Sequence, residues 1–385
     1  MSLYLARRRF MRRCPSAVCG EGSSPLVLQK VKGDLNHMLK NAAIRAMTFA
    51  VPEKILDNTE ILRRFPAENM ESFLKVIGIQ RRHVLSESES ASDIAVLAAE
   101  ELFEKTGLDR HSIDTIIYCS QTPDFRSPTT SCVLQNRLSL ASDVCAFDMS
   151  QACPSFIHLM NVCNGLVASG SHKKILAFVA DATTQLIHPQ DGSQIPLHGD
   201  GAIAVLVEPA AENQVFFEWF DFGVDGSQED RIKIPMGGSR MPYQQDKIKE
   251  TVDGFGNVRT SLYSHMDGTA VFHFVIHTIP RFLKKICEKY QTSLEDYDLI
   301  LFHQSNKMIV NMLYRILCIP EEKRFYCLEN IGNLSGGSLP AALHEAIRLG
   351  RCGPGARILL VGYGAGLSWA ASSFRLGNII VGKGV

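Results

Sequence analysis

The run DVCAFDMSQACPSFIHLMNVCNGLVASG places a thiol, Cys153, between a strand and a helix. The strand reads from Val144 to Phe147, and the helix starts near Cys153 and ends at Gly170. Pro154 fits the first helical position, where a missing N–H is not felt. A thiol at that point faces unsatisfied backbone N–H groups and the positive end of the helix dipole. Both favour the thiolate, which is the nucleophilic form. The free amide at the same place can hold the oxyanion of an attacked carbonyl. Taken alone, Cys153 also reads as a small apolar residue at a buried helix start.

Two further side chains carry chemistry. His303 ends the strand Asp298 to Phe302 and opens HQSN, where an imidazole could donate a hydrogen bond or shuttle a proton. The other reading is a cap on the following helix. Asn333 lies in ENIGNLSGGSLPAALHEAIRLG, in a turn before a helix that runs to about Gly350. Asn is common in turns, but a neutral amide beside a histidine could also hold developing negative charge without changing its own charge. In VGYGAGLSWAASSF, Gly364, Ala365 and Gly366 lie between two strands and permit close backbone approach. No helix follows, so a dinucleotide site is not indicated. In HGDGAIAVLVEP, Asp200 reads as a loop organiser.

The elements that must position these groups come in duplicate. Helix, strand, connector and helix follow one another from residue 92, and the same layout returns in TAVFHFVIHTIPRFLKKICEKYQTSLEDYDLILFHQSN. Asp114 to Ser120 aligns on Asp298 to Gln304 at an offset of 184 (298 − 114). Lys174 to Val179 aligns on Arg357 to Gly362 at an offset of 183 (357 − 174). Each pair is followed by another apolar strand, Ala202 to Val207 and Ser368 to Phe374. Two matches at nearly one offset indicate two related α/β halves, 41–210 and 211–385, which is also what 385 residues favour. Uncharged strands imply sheets covered on both faces. Ligands in such proteins sit at the carboxyl ends of strands, where Cys153 and His303 both fall. The stretch from Asn213 to Asp267 is expected to hold a strand and then long loops near the site entrance.

Composition bounds the rest. Lys plus Arg equals Asp plus Glu, so the bulk charge does not mark a nucleic-acid binder. The eleven cysteines show neither C-x-x-C nor zinc-type spacing, which points to reduced thiols in the cytoplasm. No apolar run is long enough to span a membrane. Residues 1–37 carry seven Lys and Arg against two acids, a net of +7 − 2 = +5. Residues 1–40 therefore read as a basic extension outside the core, whether transit peptide or tail.

The ordered set QACPSF, HGDGA, FHQSN, IGNLSGGS and GYGAGLSW resembles the β-ketoacyl-acyl-carrier-protein synthase III family of the thiolase superfamily, from about residue 41 to 375. The resemblance implies a thiolase-like fold, with two pseudo-symmetric halves in five αβαβα layers, and a homodimer. It implies that Cys153 takes an acyl group from acyl-CoA or an acyl carrier protein, with the amides of Cys153 and Ala365 as oxyanion hole. His303 and Asn333 then hold a malonyl thioester through decarboxylative Claisen condensation, without metal or redox cofactor. Gly364, Gly366, Asn306 and Lys307 are the expected loop positions around the substrates. Three departures stand out. Pro154 and Ser155 follow the cysteine where small residues are usual. Ser72 and Val76 occupy the places of an adenine-clamping Trp and Arg. Met308 replaces an Arg that meets the carrier protein, leaving Lys307 with Lys284 or Lys285 for that contact. A specialised acyltransferase with an alcohol, amine or second acyl acceptor is the alternative, and a non-catalytic partner subunit a further one.

Overall fold

The protein is described by a computed structural model covering residues 41–211 and 216–384. The basic extension of residues 1–40 lies outside the described residues. Sheet 1 is built from β1 (Ala42–Ala50), β2 (Thr115–Cys119), β3 (Cys145–Met149), β4 (Ile175–Asp181) and β5 (Gly201–Pro209). Sheet 2 contains β6 (Phe217–Val224), β7 (Leu299–Phe302), β8 (Arg357–Gly364) and β9 (Ser368–Arg375). The short β10 (Ile380–Val381) crosses back to pair with β1. The strand orders are β10-β1-β5-β4-β2-β3 and β7-β8-β9-β6.

Register exposes the duplication. Thr115 pairs with Ile175 in parallel across β2 and β4, and Leu299 pairs with Ile358 across β7 and β8. These are the offsets of 184 and 183 read from the chain (299 − 115 and 358 − 175). In each half an antiparallel strand follows, β5 or β9, and a further antiparallel strand flanks it, β1 or β6. No strand corresponds to β3 in sheet 2 among the described residues. There, side chains bond to backbone instead: Tyr314 Oη donates to the Ile300 carbonyl of β7 at 2.9 Å and accepts from the Phe325 amide at 3.3 Å, and the Cys327 amide donates to Gln304 Oε1 at 3.3 Å.

Six helices complete the layers: α1 (Ala91–Thr106), α2 (Thr130–Arg137), α3 (Ser155–Ala168), α4 (Gly268–Tyr290), α5 (Lys307–Ile316) and α6 (Ser338–Arg348). The two-residue period of the strands assigns each side chain to a face. Ile116 and Tyr118 pack outward against α1 and α2, whereas Ile117 and Cys119 face inward with Phe156 and Met160 of α3. In sheet 2, Ile300 and Phe302 face outward to α4 and α5, and Leu299 and Leu301 inward. Helices α3 and α6 therefore fill the space between the sheets, with α1 and α2 outside one and α4 and α5 outside the other. This is the five-layered αβαβα thiolase arrangement. Continuing the parity beyond Phe302 brings His303 to the inner side.

A small satellite core covers one side of the site. The ribbon Ile55–Asp57 with Arg81–His83, and the helix Met70–Ile77, enclose Leu56, Ile61, Leu74 and Ile79 with Leu197 and Leu328. Arg82 is fully buried within it. Its guanidinium donates to the Pro196 carbonyl (3.1 Å from Nε) and to Asn58 Oδ1 (2.7 Å). Burial pushes its pKa down to about 10, against the opposing charge of Asp57. Arg82 thereby ties the satellite core to the turn that begins at Leu197. Arg82→Ala would leave the Pro196 carbonyl unpaired and a void behind it, and is expected to lower stability by about 3 kcal/mol in urea unfolding. A change below about 0.5 kcal/mol would show that this anchor is dispensable.

Candidate active site

Cys153 sits in the turn before α3, half-buried, with Pro154 as the N-cap and Ser155 the first helical residue. The strand before it is Cys145–Met149, two residues later at its end than the sequence pattern indicated. The helix nonetheless closes as expected: the Ile157 amide donates to the Pro154 carbonyl at 3.1 Å. Glycines of β8 press onto this turn. A Cβ on Gly364 would lie 2.7 Å from both Cβ and Sγ of Cys153, and one on Gly362 would lie 2.8 Å from the Pro154 Cα. Only hydrogen fits at these positions. The approach brings the Ala365 amide to the sulfur, together with the Cys153 amide and the Ser335 hydroxyl, and all three favour the thiolate.

The expected thiolate is nevertheless overruled. Burial, and next the charge of Asp181, push the thiol up to about 12. The dipole and amide contributions are real but smaller than the loss of water. Asp181 ends β4 and is itself pushed up to about 6 by burial, although it accepts from the Gln121 amide (2.7 Å), Ser120 Oγ (3.2 Å) and the Gly336 amide (3.3 Å). Sequence reading missed this carboxyl; its signal was an acid closing the otherwise apolar run ILAFVAD. Ser335 was missed as well. It accepts from Gln121 Nε2 at 2.6 Å and adopts a positive φ of 53°.

His303 is buried, its amide donating to the Val361 carbonyl at 2.9 Å in continuation of β7. Its ring meets Tyr363 edge-on, centroids 5.4 Å apart at 84°. Nδ1 has no hydrogen-bond partner. Burial, and then the neighbouring His198, lower its pKa to about 3, so the ring is neutral at physiological pH. Asn333 is oriented by its own turn: Oδ1 accepts from the Ser335 amide (2.9 Å) and from Ser338 Oγ (3.0 Å). That fixes the carboxamide and frees Nδ2 as a donor. The turn is braced on the HGDG segment. The Gly199 amide donates to the Asn333 carbonyl (3.1 Å), and the Asn333 amide to Leu197 (2.9 Å). Asp200 organises three loops, accepting from the Leu85 and Thr184 amides at 2.9 and 2.8 Å.

Cys153, His303, Asn333, Gly364 and Ala365 line one cavity of about 340 Å³. Its remaining wall is largely apolar, with Leu186, Ile187, Ile232, Ile234, Met266 and Ile309. The loops between β6 and α4 supply part of it, as the sequence pattern anticipated. Three other expected positions do not line it. Asn306 is the N-cap of α5, accepting from the Ile309 amide at 2.9 Å. Lys307 is exposed, its stem against Gly78. Gly366 lies beyond Ala365 with φ 137°. Ser72 and Val76 are both exposed on the helix Met70–Ile77. The nine cysteines among the described residues are all free. Among those residues, no three His, Cys, Asp or Glu side chains are placed to hold a metal, and no helix is long and apolar enough to cross a membrane.

The fold and cavity define a condensing enzyme of the thiolase type. Residues 147–226 match the family model "3-Oxoacyl-[acyl-carrier-protein (ACP)] synthase III", and residues 287–376 match its C-terminal counterpart. A β-ketoacyl-[acyl-carrier-protein] synthase III from Natranaerobius thermophilus is 32% identical over 336 residues, covering 86% of this chain and 98% of the relative. A crystal structure of a 3-oxoacyl-(acyl-carrier-protein) synthase III superposes with a TM-score of 0.84 at 31% identity, covering 87% of this chain and 100% of that one. A 3-oxoacyl-(acyl-carrier-protein) synthase from Burkholderia xenovorans LB400 gives 0.81 at 27% identity, covering 90% and 97%. The chain belongs to the β-ketoacyl-acyl-carrier-protein synthase III family and is an acyltransferase.

Two outcomes follow from this geometry. Alkylation of Cys153 by iodoacetamide, followed by intact mass, should accelerate about tenfold per pH unit from pH 7 to 10, because the thiolate fraction rises that way below a pKa of about 12. A plateau near neutrality would show that the helix start wins after all. Gly364→Ala should displace the sulfur and reduce acylation of Cys153 about a hundredfold, since an ångström of misplacement costs that much. An undiminished acylation rate would mean that the close approach of β8 is unimportant.

Proposed function

We propose that Cys153 carries the acyl group and that His303 and Asn333 bind the thioester of the acceptor. The observation that carries this reading is the convergence of a thiol, an imidazole and a carboxamide, from both duplicated halves (41–210 and 211–385), on one cavity. The thiol attacks the carbonyl of an acyl-CoA or acyl-carrier-protein thioester, and the amides of Cys153 and Ala365 hold the oxyanion. The C–S bond to the donor breaks, and the thiol proton leaves with the departing thiol.

A malonyl thioester then places its carbonyl oxygen between His303 Nε2–H and Asn333 Nδ2. Loss of carbon dioxide leaves an enolate on that oxygen. Each well-placed donor is worth about 3 kcal/mol there. The carbanion attacks acyl-Cys153, the new C–C bond forms as the C–S bond to Cys153 breaks, the sulfur takes up a proton from water, and the β-ketoacyl thioester departs. Decarboxylation drives the sequence, so the reaction as proposed draws on no metal or redox cofactor. Lys307, with Lys284 or Lys285, is placed outside the cavity, where exposed cations suit the acidic face of a carrier protein. Strand β3 forms one edge of sheet 1, with half-buried Phe147 and Met149, which supports a homodimer joined along that edge. The free thiols among the described residues are in keeping with the cytoplasm.

Cys153→Ala is expected to lose the acyl adduct seen by intact-protein mass spectrometry after incubation with acyl-CoAs. His303→Ala and Asn333→Ala should each keep that adduct and lower decarboxylation of a malonyl thioester by about 100- to 1000-fold. Full condensation by Cys153→Ala, or undiminished decarboxylation in the double variant, sinks the assignment.

A further inference from the structure

His198 lines the cavity that holds Cys153, His303 and Asn333, and the proposed condensation leaves it without a task. It immediately precedes Gly199 and Asp200, and its backbone forms a parallel bridge with Asn333. It is near enough to His303 for its charge to disfavour protonation there. Its Nδ1 lies 3.0 Å from the Gln194 carbonyl. A carbonyl only accepts, so Nδ1 carries the hydrogen and Nε2 of the neutral ring is a lone pair. Burial, against the opposing Gln194 carbonyl and Asp191, keeps the ring neutral.

The polar wall is therefore asymmetric. Asn333 Nδ2 is a donor and, with the N–H that the proposed condensation asks of His303, matches a thioester carbonyl. His198 Nε2 is an acceptor and matches a substrate hydrogen. A malonyl unit brings no proton that must be removed, because carbon dioxide leaves in its place. A hydroxyl near the acceptor's thioester does bring one. An imidazole is too weak a base for the C–H of an unactivated thioester, but it suits an O–H whose proton departs as oxygen attacks.

We propose that His198 is a general base through which acyl-Cys153 is also discharged onto a hydroxyl-bearing thioester, giving an ester. This rests on the acyl-enzyme reading above. The acceptor oxygen bonds to the acyl carbon as its proton moves to His198 Nε2. The thioester C–S bond breaks, and the imidazolium returns the proton to the Cys153 sulfur. Atoms and charges balance without a further reactant.

The test begins by acylating the enzyme with acyl-CoAs from acetyl to decanoyl and confirming the Cys153 adduct by intact mass. The adduct is then offered equal malonyl-N-acetylcysteamine and 3-hydroxybutyryl-N-acetylcysteamine, and the ratio of ester to β-keto product is read by mass spectrometry. The wild type should form both. In His198→Phe, which retains a ring, and in His198→Gln, which retains polarity, the ratio should fall about a hundredfold, the usual worth of a general base. Any general damage to the fold divides out of the ratio. An adduct that yields no ester, or a ratio within threefold of wild type in both variants, overturns the role of His198 alone. Failure to form any Cys153 adduct overturns the acyl-enzyme reading as well.

Discussion

Everything in the site hangs on the contact between the β8 glycines and the turn at Cys153. Gly362 and Gly364 are strand residues of the second half, while Cys153 and Pro154 belong to the first. Their backbones touch across the central layer because neither glycine has a Cβ. Glycine costs strand stability, by about 0.5–1 kcal/mol each. What it secures is an amide, Ala365, against a sulfur that the other half supplies. Without that approach the two sheets would still pack through α3 and α6, but the Cys153 sulfur would lose the Ala365 amide.

Dehydration sets the electrostatics. The thiol is pushed up to about 12, Asp181 to about 6 and His303 down to about 3. One cause is first in all three: burial disfavours the charged form whichever sign it has. The Cys153 thiol and the His303 ring are therefore neutral at rest, while Asp181, at about 6, is mostly a carboxylate near pH 7. A neutral His303 is a poor proton source but a steady hydrogen-bond donor, and Asn333 cannot ionise at all. Donors of that kind bind a neutral carbonyl weakly and an enolate strongly, which is the discrimination that catalysis requires. Charge that appears during the reaction would thus meet neutral groups at His303 and Asn333.

Much of the fold was legible because two strand pairs obey one spacing. The offsets at Asp114 and Lys174 reappear as matched parallel registers, and uncharged strands correctly implied two covered faces. Cys153, His303 and Asn333 were visible because each closes or opens an element, where side chains point at ligands. The state of the thiol was not legible. It depends first on burial and next on Asp181, which comes 28 positions later (181 − 153) at the end of β4. Lys307 and Asn306 were misplaced relative to the cavity for a related reason. Proximity to His303 along the chain says nothing about direction once α5 turns away: Asn306 is consumed in capping that helix, and the Lys307 stem covers Gly78.

The orientation of the polar side chains is a separate layer of information, and it resides in their second hydrogen bonds. Asn333 could face the cavity with either end of its amide until Ser335 and Ser338 occupy Oδ1. The two histidines carry the same ring, yet the Gln194 carbonyl fixes His198 as an acceptor at Nε2, while His303 Nδ1 has no partner to fix its tautomer. Neither distinction follows from residue type. Replacing Gln194 or Asp191 could tilt His198 without touching its ring, since Gln194 Nε2 donates to Asp191 Oδ2 at 2.7 Å and Asp191 pairs with Arg259 at 3.0 Å. The orientation of His198 is thereby linked, through the Gln194 backbone and side chain, to a buried polar chain that reaches Arg259.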